Sequence, residues 1–287
     1  MTTLPLRFSI GLAPGAFGIL VWLERRRPLR RAVEPKRARL VRNLAVAAAS
    51  GVVVLALERP ALAPLATLVA ERRLGLLHIA TLPAWLEVAL AVVLMDYTLY
   101  VWHVLTHRIP WLWRMHVVHH VDLDMDASTA LRFHAAEIAV SIVWRAGQVI
   151  VIGVSPLAFG VWQTALLLST MFHHANLRLP LDLERRLVRV VVTPRMHGIH
   201  HSTVRTETDA NWSTIFTLWD RLHGTLRLNV PQDAVTIGVP AYRAAREVGL
   251  GRLLAMPFVA QRPSWVSPDG SRPQRPTTVV PRHRLLA

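Results

Sequence analysis

Long apolar stretches alternate with charged or histidine-rich segments along most of the chain. The first, Leu4 to Leu23, is apolar except for Arg7 and is followed directly by Glu24-Arg25-Arg26-Arg27. A cleaved signal peptide carries its positive charge before the apolar core, so this order predicts an uncleaved first helix with its N-terminus outside. Residues 25 to 42 hold nine basic side chains against Glu34 alone, which predicts a cytoplasmic loop.

The next apolar region is split. Leu44 to Leu57 is short, and Glu58-Arg59-Pro60 interrupts it before Ala61 to Ala70. This pattern fits either one kinked span or a helix followed by an interfacial segment. Trp85 to Val104 gives the clearest span, and we expect it to run from outside to inside.

Two later apolar stretches, Ile138 to Val154 and Leu157 to Phe172, are separated by Ser155-Pro156. They either cross the membrane or form a re-entrant hairpin, and in both cases the chain returns to the side that it left. From Ala175 onward no stretch is long and apolar enough to span. The sequence therefore predicts an all-α integral membrane helical bundle, with about four to five membrane helices or a re-entrant hairpin, under a cytoplasmic histidine-rich helical cap.

This pattern divides the chain into three segments. Residues 1–84 hold the first membrane helices and the basic loop, residues 85–230 hold the histidine clusters, and residues 231–287 form a cytoplasmic C-terminal extension. Beyond about Arg262, five prolines stand among arginines with little to bury. We expect this tail to be disordered and to touch anionic headgroups.

Composition supports a membrane protein. Hydrophobic residues make up 52% of the chain, and the mean hydropathy is +0.33. The absence of cysteine excludes disulfides, thiolate zinc sites and cysteine nucleophiles. A net charge of +15 could indicate nucleic acid, but Lys36 is the only lysine and the arginines flank apolar segments. We therefore expect a membrane and no nucleic-acid partner.

The histidines carry the candidate chemistry. Imidazole is the commonest transition-metal ligand near neutral pH, because it binds as a neutral base. In a helix, ligands three or four residues apart share one face. The membrane pattern puts three histidine clusters on the same side, which predicts one site for two metal ions. The clusters are His103-x3-His107, His116-x2-His119-His120 and His197-x2-His200-His201.

Other polar residues stand near these clusters. Asp96 lies inside the clearest span, where an aspartate is costly and therefore a functional candidate. We expect it to orient a ligating imidazole or to complete the coordination of a metal. His134 and Glu137 form an i, i+3 pair at the entry of the next helix.

The remaining histidines are weaker candidates. One of His173 and His174 is expected to ligate, because adjacent helical side chains point about 100° apart. Pro194 suits the first position of a helix that Thr193 caps just before the third cluster. His78, His223 and His283 are isolated and are interpreted as structural or surface groups.

The order HVLTH, HVVHH, ALRFHAAE, FHHAN, TPRMHGIHH and ETDANWSTIFTLWDRLHGT resembles the sterol desaturase / fatty acid hydroxylase superfamily of membrane-bound non-haem di-iron enzymes, over about residues 85 to 228. The resemblance is strongest to bacterial members and more distant to alkylglycerol monooxygenase. It implies that residues 85–230 form a di-iron catalytic domain and that all eight clustered histidines ligate.

The resemblance also bears on the other candidates. It favours His174 over His173 as a ligand, and it matches His134 and Glu137 to a family FHPxE motif with Ala135 in place of proline. His134 thus joins the ligand set, while Glu137 and Asp96 are the catalytic candidates. A terminal segment that folds over the site is matched by Asp209, Asn211 and Leu218-Trp219-Asp220-Arg221, whereas Trp212, Ser213 and Thr214 depart from its glycine-rich form.

The activity that this implies is the oxidation of a lipid C–H bond. The cofactors would be two iron ions with O2 as co-substrate, and electrons would come from a separate electron-transfer protein and reductase. Hydroxylation and desaturation share the first hydrogen abstraction, and the resemblance favours hydroxylation. The substrate would be a membrane lipid, and the protein would lie in a bacterial inner membrane with its site on the cytoplasmic side.

Two alternatives fit the residues less well. A histidine-rich metal transporter would place ligands near the bilayer midplane, within broken helices and often within repeats. Here the clusters lie at the cytoplasmic ends, and no repeat is found. A metal-dependent lipid hydrolase would need a general base, typically in HExxH, which does not occur, although Glu137 could serve.

Overall fold

The protein is built of helices. The structure, a computed structural model, describes residues 4–275, and in this range β-structure is limited to isolated bridges. The all-α membrane bundle predicted from the sequence is confirmed. The α-helices of the described range are α1 Leu4–Arg26, α2 Lys36–Val53, α3 Arg59–Glu71, α4 Ala84–Arg108, α5 Pro110–His120, α6 Ala135–Ile152, α7 Pro156–His174, α8 Leu181–Leu187, α9 Pro194–His200, α10 Arg205–Thr208, α11 Leu218–Leu222 and α12 Leu250–Ala255.

By length and composition, three helical stretches of the described range could cross a membrane. They are Lys36–His78, Ala84–Arg108 and Ala135–Ile152. The predicted total of four to five membrane helices stays a prediction. Helix α4 is central, because it packs against α5, α6 and α7, while α6 lies along both α2 and α3 and α7 also packs against α1.

The charged Glu58-Arg59-Pro60 sequence does not interrupt the second apolar region. A π-helical turn, Val54–Glu58, joins α2 to α3 in one continuous helical path. A proline normally clashes with the carbonyl four residues earlier, and the wider π turn displaces that carbonyl. The buried Glu58 carboxylate accepts a hydrogen bond from the Arg145 guanidinium of α6. The structure therefore favours one span over a helix followed by a separate interfacial segment.

The far end of the bundle depends on two glycines. Gly75 (φ +91°) follows α3, and Gly153 (φ +84°) ends α6. A Cβ on Gly75 would lie 2.3 Å from the backbone nitrogen of Gly153, so only glycine permits this approach. The contact ties the loop after α3 to the turn between α6 and α7.

At the histidine end, all three predicted segments share one apolar core. It combines Val46 of α2, Val117 and Val118 of α5, and Val239 and Leu253 of the C-terminal extension. Residues from the N-terminal and C-terminal segments therefore pack directly against the helix that carries the second histidine cluster.

A buried ion network joins the basic loop to the second histidine cluster. Arg39 and Arg132 are both buried and share the Asp122 carboxylate, at 2.9 and 3.1 Å. Arg39 also pairs with Asp126, and Asn43 donates a hydrogen bond to Asp122. Because Asp122 lies two residues after His120, the basic loop and this cluster occupy the same end of the bundle.

Part of the predicted disordered tail packs on the protein. Trp113 stacks on Trp265, with ring centroids 5.7 Å apart, and donates a hydrogen bond to Ser264 at 2.9 Å. Arg275 forms a two-pronged ion pair with the buried Glu207. Ordered contacts therefore continue past Arg262 as far as residue 275. The rest of the segment predicted to be disordered lies outside the described residues.

Loss of the Asp122 carboxylate should destabilise the histidine end of the bundle. Asp122→Ala leaves the buried Arg39 and Arg132 without their shared partner, which should cost about 3–5 kcal/mol. A large fall in the midpoint of thermal unfolding in detergent should follow. The matched control is Asp182→Ala, which removes a carboxylate paired with Arg185 on the surface and should leave the midpoint unchanged. Equal midpoints for the two variants would show that the network does not stabilise the fold.

Candidate metal centre

Four helices bring their histidines to one place. His103 and His107 lie on the last turns of α4, and His174 ends α7. The other two clusters lie on α5 and at the end of α9. The structure brings eight histidines into two groups, in each of which the possible ligand atoms lie within 4.8 Å of one another. The groups are His103, His107, His120 and His200, and His119, His174, His197 and His201.

The second group has the spacing of metal ligands. The Nε2 atom of His174 lies 3.0 Å from that of His119, 3.1 Å from that of His197 and 3.2 Å from that of His201. Metal–imidazole bonds of about 2.0–2.1 Å separate neighbouring ligand nitrogens by roughly 2.9–3.4 Å. One lone pair on His174 cannot accept hydrogen bonds from three imidazoles at once. A shared cation satisfies all four nitrogens, so the residues present fit a metal ion.

Backbone carbonyls fix which nitrogen faces each group. His103 Nδ1 lies 2.7 Å from the Trp212 carbonyl oxygen, and His200 Nδ1 lies 2.8 Å from that of Ala210. His174 Nδ1 makes the same contact with Thr170, at 2.8 Å. A carbonyl only accepts, so Nδ1 carries the proton and Nε2 keeps the lone pair that a metal needs.

The two groups lie against each other in a buried pocket. The His120 and His201 rings, one from each group, stack with centroids 4.3 Å apart. Burial lowers the pKa of His200 to about 3 and holds the pKa of His120 and that of His201 well below 6.5. These imidazoles are therefore neutral at physiological pH, as metal ligation requires.

His116, predicted as a ligand, lies between the groups and belongs to neither. Its ring centroid is 4.9 Å from that of His107 and 5.3 Å from that of His119. His116 Nδ1 donates a hydrogen bond to Glu137 Oε1 at 2.7 Å, and its Nε2 is buried without a protein partner. Glu137 thus orients an imidazole at the centre of the site, which makes it a positioning residue.

His134 lies outside both groups, contrary to the ligand set implied by the resemblance. Its Nδ1 accepts a hydrogen bond from the Ala136 N–H as the N-cap of α6, and its Nε2 donates to the Leu254 carbonyl at 3.1 Å. Neither nitrogen keeps a lone pair for a metal in this arrangement. His134 caps a helix and holds the C-terminal extension.

The other histidines of the described range lie outside both groups, in three different places. His173, next to the grouped His174, belongs to neither group and is buried against the His197 ring, with centroids 4.2 Å apart. His223 stacks on Tyr97 and Tyr100 at the surface. His78 lies near Gly153 at the opposite end of the bundle. His283 falls outside the described residues.

Asp96 binds residues 215–219 and contacts no histidine of the described residues. The sequence predicted instead that it would orient a ligating imidazole or complete the coordination of a metal. Its carboxylate accepts hydrogen bonds from the backbone N–H groups of Ile215 and Phe216, at 3.1 and 3.0 Å. The Trp219 indole N–H donates a third, at 2.7 Å. The desolvation of a buried carboxylate is offset by these three donors. Asp96 therefore fixes the segment that lies over the site.

That segment forms the wall of the site. The Trp212 ring lies against His107, His200 and His103, with centroid distances of 4.6, 5.3 and 5.6 Å. Asp220 accepts hydrogen bonds from the backbone N–H groups of Trp212 and Ser213, both at 2.9 Å. Trp212 stands where the superfamily pattern is glycine-rich, so the sequence pattern does not predict its contact with the histidines.

The third cluster is held by local features of its helix. Thr193 caps α9 through the Met196 N–H and Pro194 opens the helix, so both sequence predictions are confirmed. Between the ligating positions, a Cβ on Gly198 would meet the Arg30 guanidinium at 1.7 Å. Arg30 donates hydrogen bonds to the Pro194 carbonyl and from its backbone N–H to Asn176. Only the tertiary structure brings this arginine of the basic loop to the cluster.

Comparison with known proteins decides the family. The fatty acid hydroxylase family matches residues 88–225, the range that holds both histidine groups and the segment over them. This chain belongs to the sterol desaturase/fatty acid hydroxylase superfamily. No solved structure matches it.

Several curated relatives in this superfamily are lipid-oxidising enzymes by name. Ornithine lipid hydroxylase OlsE of Rhizobium tropici is 29% identical over 62% of this chain and 50% of its own length. Human alkylglycerol monooxygenase is 29% identical over 45% of this chain and 28% of its own. Human cholesterol 25-hydroxylase is 26% identical over 49% and 51%. The chain thus spans about half or less of the length of these relatives.

The two groups predict two metal ions per chain. Protein loaded anaerobically with Fe2+ should hold about two ions, since each group offers four imidazoles. His119→Ala or His200→Ala takes one ligand from one group and should lower the iron content to about one ion per chain, measured by elemental analysis. His134→Ala and His223→Ala are the matched controls and should keep both ions. Full iron content in both group variants would refute this grouping.

Proposed function

We propose that the protein is an O2-dependent hydroxylase of a membrane lipid, with a di-iron centre in residues 85–230. The observation that carries this proposal is the pair of four-histidine groups at one end of a membrane bundle, in which all but the half-buried His103 and His107 are buried. Acid–base catalysis alone does not cleave an unactivated C–H bond, so a lipid hydroxylase needs a redox centre. The hydroxylase and monooxygenase names of the relatives support the same reaction class.

Each group would hold one iron ion. His103, His107, His120 and His200 would hold the first, and His119, His174, His197 and His201 would hold the second. When bound, the two irons would supply the activation of O2 for C–H oxidation. Eight neutral imidazoles, unlike the carboxylates of soluble di-iron bundles, leave the site cationic.

The chain's own residues orient the ligands and exclude water. The carbonyls of Trp212, Ala210 and Thr170 hold a proton at Nδ1 of three ligands, which keeps Nε2 directed inward. Glu137 does the same for His116. The Trp212 ring covers the first group, and a dry site protects the oxidant from side reactions.

The relatives also bear on the alternatives. Ornithine lipid hydroxylase, alkylglycerol monooxygenase and cholesterol 25-hydroxylase are each named for oxygen insertion, which favours hydroxylation over desaturation, metal transport or hydrolysis. Electrons would come from a separate electron-transfer protein and its reductase, since O2 activation consumes them. The substrate would be a lipid taken from the surrounding bilayer.

We also propose that the site faces the cytoplasm of a bacterial cell, with the protein in the inner membrane. The basic loop at residues 25–42 packs on Asp122, Asp124 and Asp126, directly after the second cluster. Because basic loops stay cytoplasmic, this contact supports a cytoplasmic site.

Isotope labelling tests the reaction. Membranes supplied with 18O2, a reducing system and the substrate lipid should yield a product carrying one 18O atom, detected by mass spectrometry. Lipid extracts of a deletion strain and its parent would identify that substrate by a mass difference of one oxygen. A product two hydrogens lighter and unlabelled would instead identify a desaturase. Product formed equally well without O2 would exclude an oxygenase.

Topology can be measured with single cysteines, because the chain has none of its own. Ile79 lies in the loop before α4 and is 82% exposed, and Val33 lies in the basic loop and is 68% exposed. In intact cells a membrane-impermeant thiol reagent should label Ile79→Cys and should leave Val33→Cys unlabelled until the cells are permeabilised. The reverse pattern would place the histidine groups outside the cytoplasm.

A further inference from the structure

The cap carries an apolar surface beside the membrane helix α4. Leu183 in α8, Leu218 and Leu222 in α11, and Val190 between them are 46–67% exposed. In the described range, these residues follow the last helical stretch whose length and composition would let it cross a membrane. Val190 and Leu218 line the same slot, and exposed large apolar side chains that lie together mark an interaction surface.

An apolar slot of about 240 Å3 opens in this surface. It is lined by Val93, Val190, Phe216, Leu218 and Trp219. Val93 belongs to α4, one of the candidate spans, so one wall of the slot is a membrane helix. Asp96 fixes the opposite wall, because it binds the backbone of Phe216 and the Trp219 indole. A buried polar anchor on α4 therefore fixes the wall of the slot that faces Val93.

Two arginines complete the lining. Arg189 and Arg221 flank the slot, and no acidic side chain of the described residues lines it. Arg221 donates one hydrogen bond to the Val188 carbonyl, which leaves most of its guanidinium donors free. An apolar slot with an arginine pair matches a lipid with an anionic headgroup, because a guanidinium binds phosphate oxygens through paired hydrogen bonds.

The slot is connected to the metal centre by aromatic side chains. Trp219 lines the slot and packs in one apolar cluster with Tyr100 and Trp212. The Trp212 ring in turn lies against His103, His107 and His200. Along α4, the ten residues from Val93 to His103 correspond to about 15 Å. Trp219, Tyr100 and Trp212 therefore form one packed aromatic wall between the slot and the first histidine group.

We propose that the slot between α4, α11 and residues 189–190 is the lateral entrance for the lipid substrate and that Arg189 and Arg221 bind its anionic headgroup phosphate. This inference rests on the proposed function and narrows its substrate class to lipids with an anionic headgroup. The surrounding leucines lie in the same leaflet as the entering lipid.

The experiment uses the iron-loaded protein in vesicles and does not depend on turnover. Leu218→Cys provides a unique thiol for an environment-sensitive fluorophore, since the natural chain contains no cysteine. Lipids with a nitroxide on the acyl chain should quench this fluorophore strongly. Asp233→Cys, at an exposed position of the C-terminal extension, is the matched control and should be quenched weakly. Equal quenching at the two positions would overturn the proposal.

The arginines are tested by lipid competition in the same assay. Nitroxide-labelled phosphatidylglycerol should quench the Leu218→Cys probe at lower concentration than labelled phosphatidylcholine. Arg189→Gln or Arg221→Gln should weaken the phosphatidylglycerol preference about fivefold each, as expected for one arginine at an anionic surface. Arg272→Gln removes the same charge at another cavity and should leave the preference unchanged. Quenching without any preference, or one insensitive to both slot arginines, would reduce the surface to a membrane anchor and overturn the proposal.

Kinetics separate this inference from the proposed function. If both hold, the arginine variants should raise KM for the lipid and leave kcat near the wild-type value, because the headgroup contact lies far from the reacting carbon. Normal lipid quenching together with no oxygen insertion into any lipid would refute the hydroxylase function alone. Normal turnover with a wild-type KM in a variant that carries both Arg189→Gln and Arg221→Gln would refute the proposed entrance alone.

Discussion

The whole arrangement depends on one constraint, the convergence of neutral imidazole nitrogens from four helices on two points. In the second group, the Nε2 atoms of His119, His197 and His201 lie 3.0–3.2 Å from the Nε2 atom of His174. Their lone pairs repel one another unless a cation lies among them or protons are shared. Helices α4, α5, α7 and α9 must therefore end at the same level of the bundle. This requirement fixes the direction in which α4 runs, and it requires α7 to run back to the end of the bundle from which α6 started. The site therefore lies at the ends of helices.

In the rest of the histidine end, hydrogen bonds offset the free-energy cost of burying so many polar groups. Backbone carbonyls of Trp212, Ala210 and Thr170 accept the outer protons of three ligands. Asp96 and Asp220 are buried carboxylates whose desolvation is offset by donors from residues 212–219. The cap is thus fixed by polar contacts on both sides of Trp212. The same contacts hold the apolar slot beside α4, so that one anchor fixes both the wall of the histidine site and the slot.

The sequence predicted all eight histidines that the structure groups, and it did not predict the residues that support them. Two helical HxxHH motifs and one HxxxH motif form the groups, together with His174, yet His116 and His134 lie outside them. Spacing alone could not separate these cases. His134 matches a family motif, but its two nitrogens are used by Ala136 and Leu254, and Leu254 is distant in sequence. Asp96 was expected beside an imidazole because it shares a helix face with His103, whereas three donors from the cap bind it instead.

What the sequence determined by itself is the local pattern: apolar stretches long enough for membrane helices, histidines at helical spacing, and the Thr193 and Pro194 start of α9. These features act within a few residues, so the chain's periodicity carries them. Tertiary structure alone decided the continuous helix through Glu58 and Pro60, because Arg145 on another helix neutralises the carboxylate. It also decided the place of Arg30 against Gly198 and that of Trp212 against the ligands. Such contacts join residues about a hundred or more positions apart, and their energies depend on burial and partners that no local pattern contains.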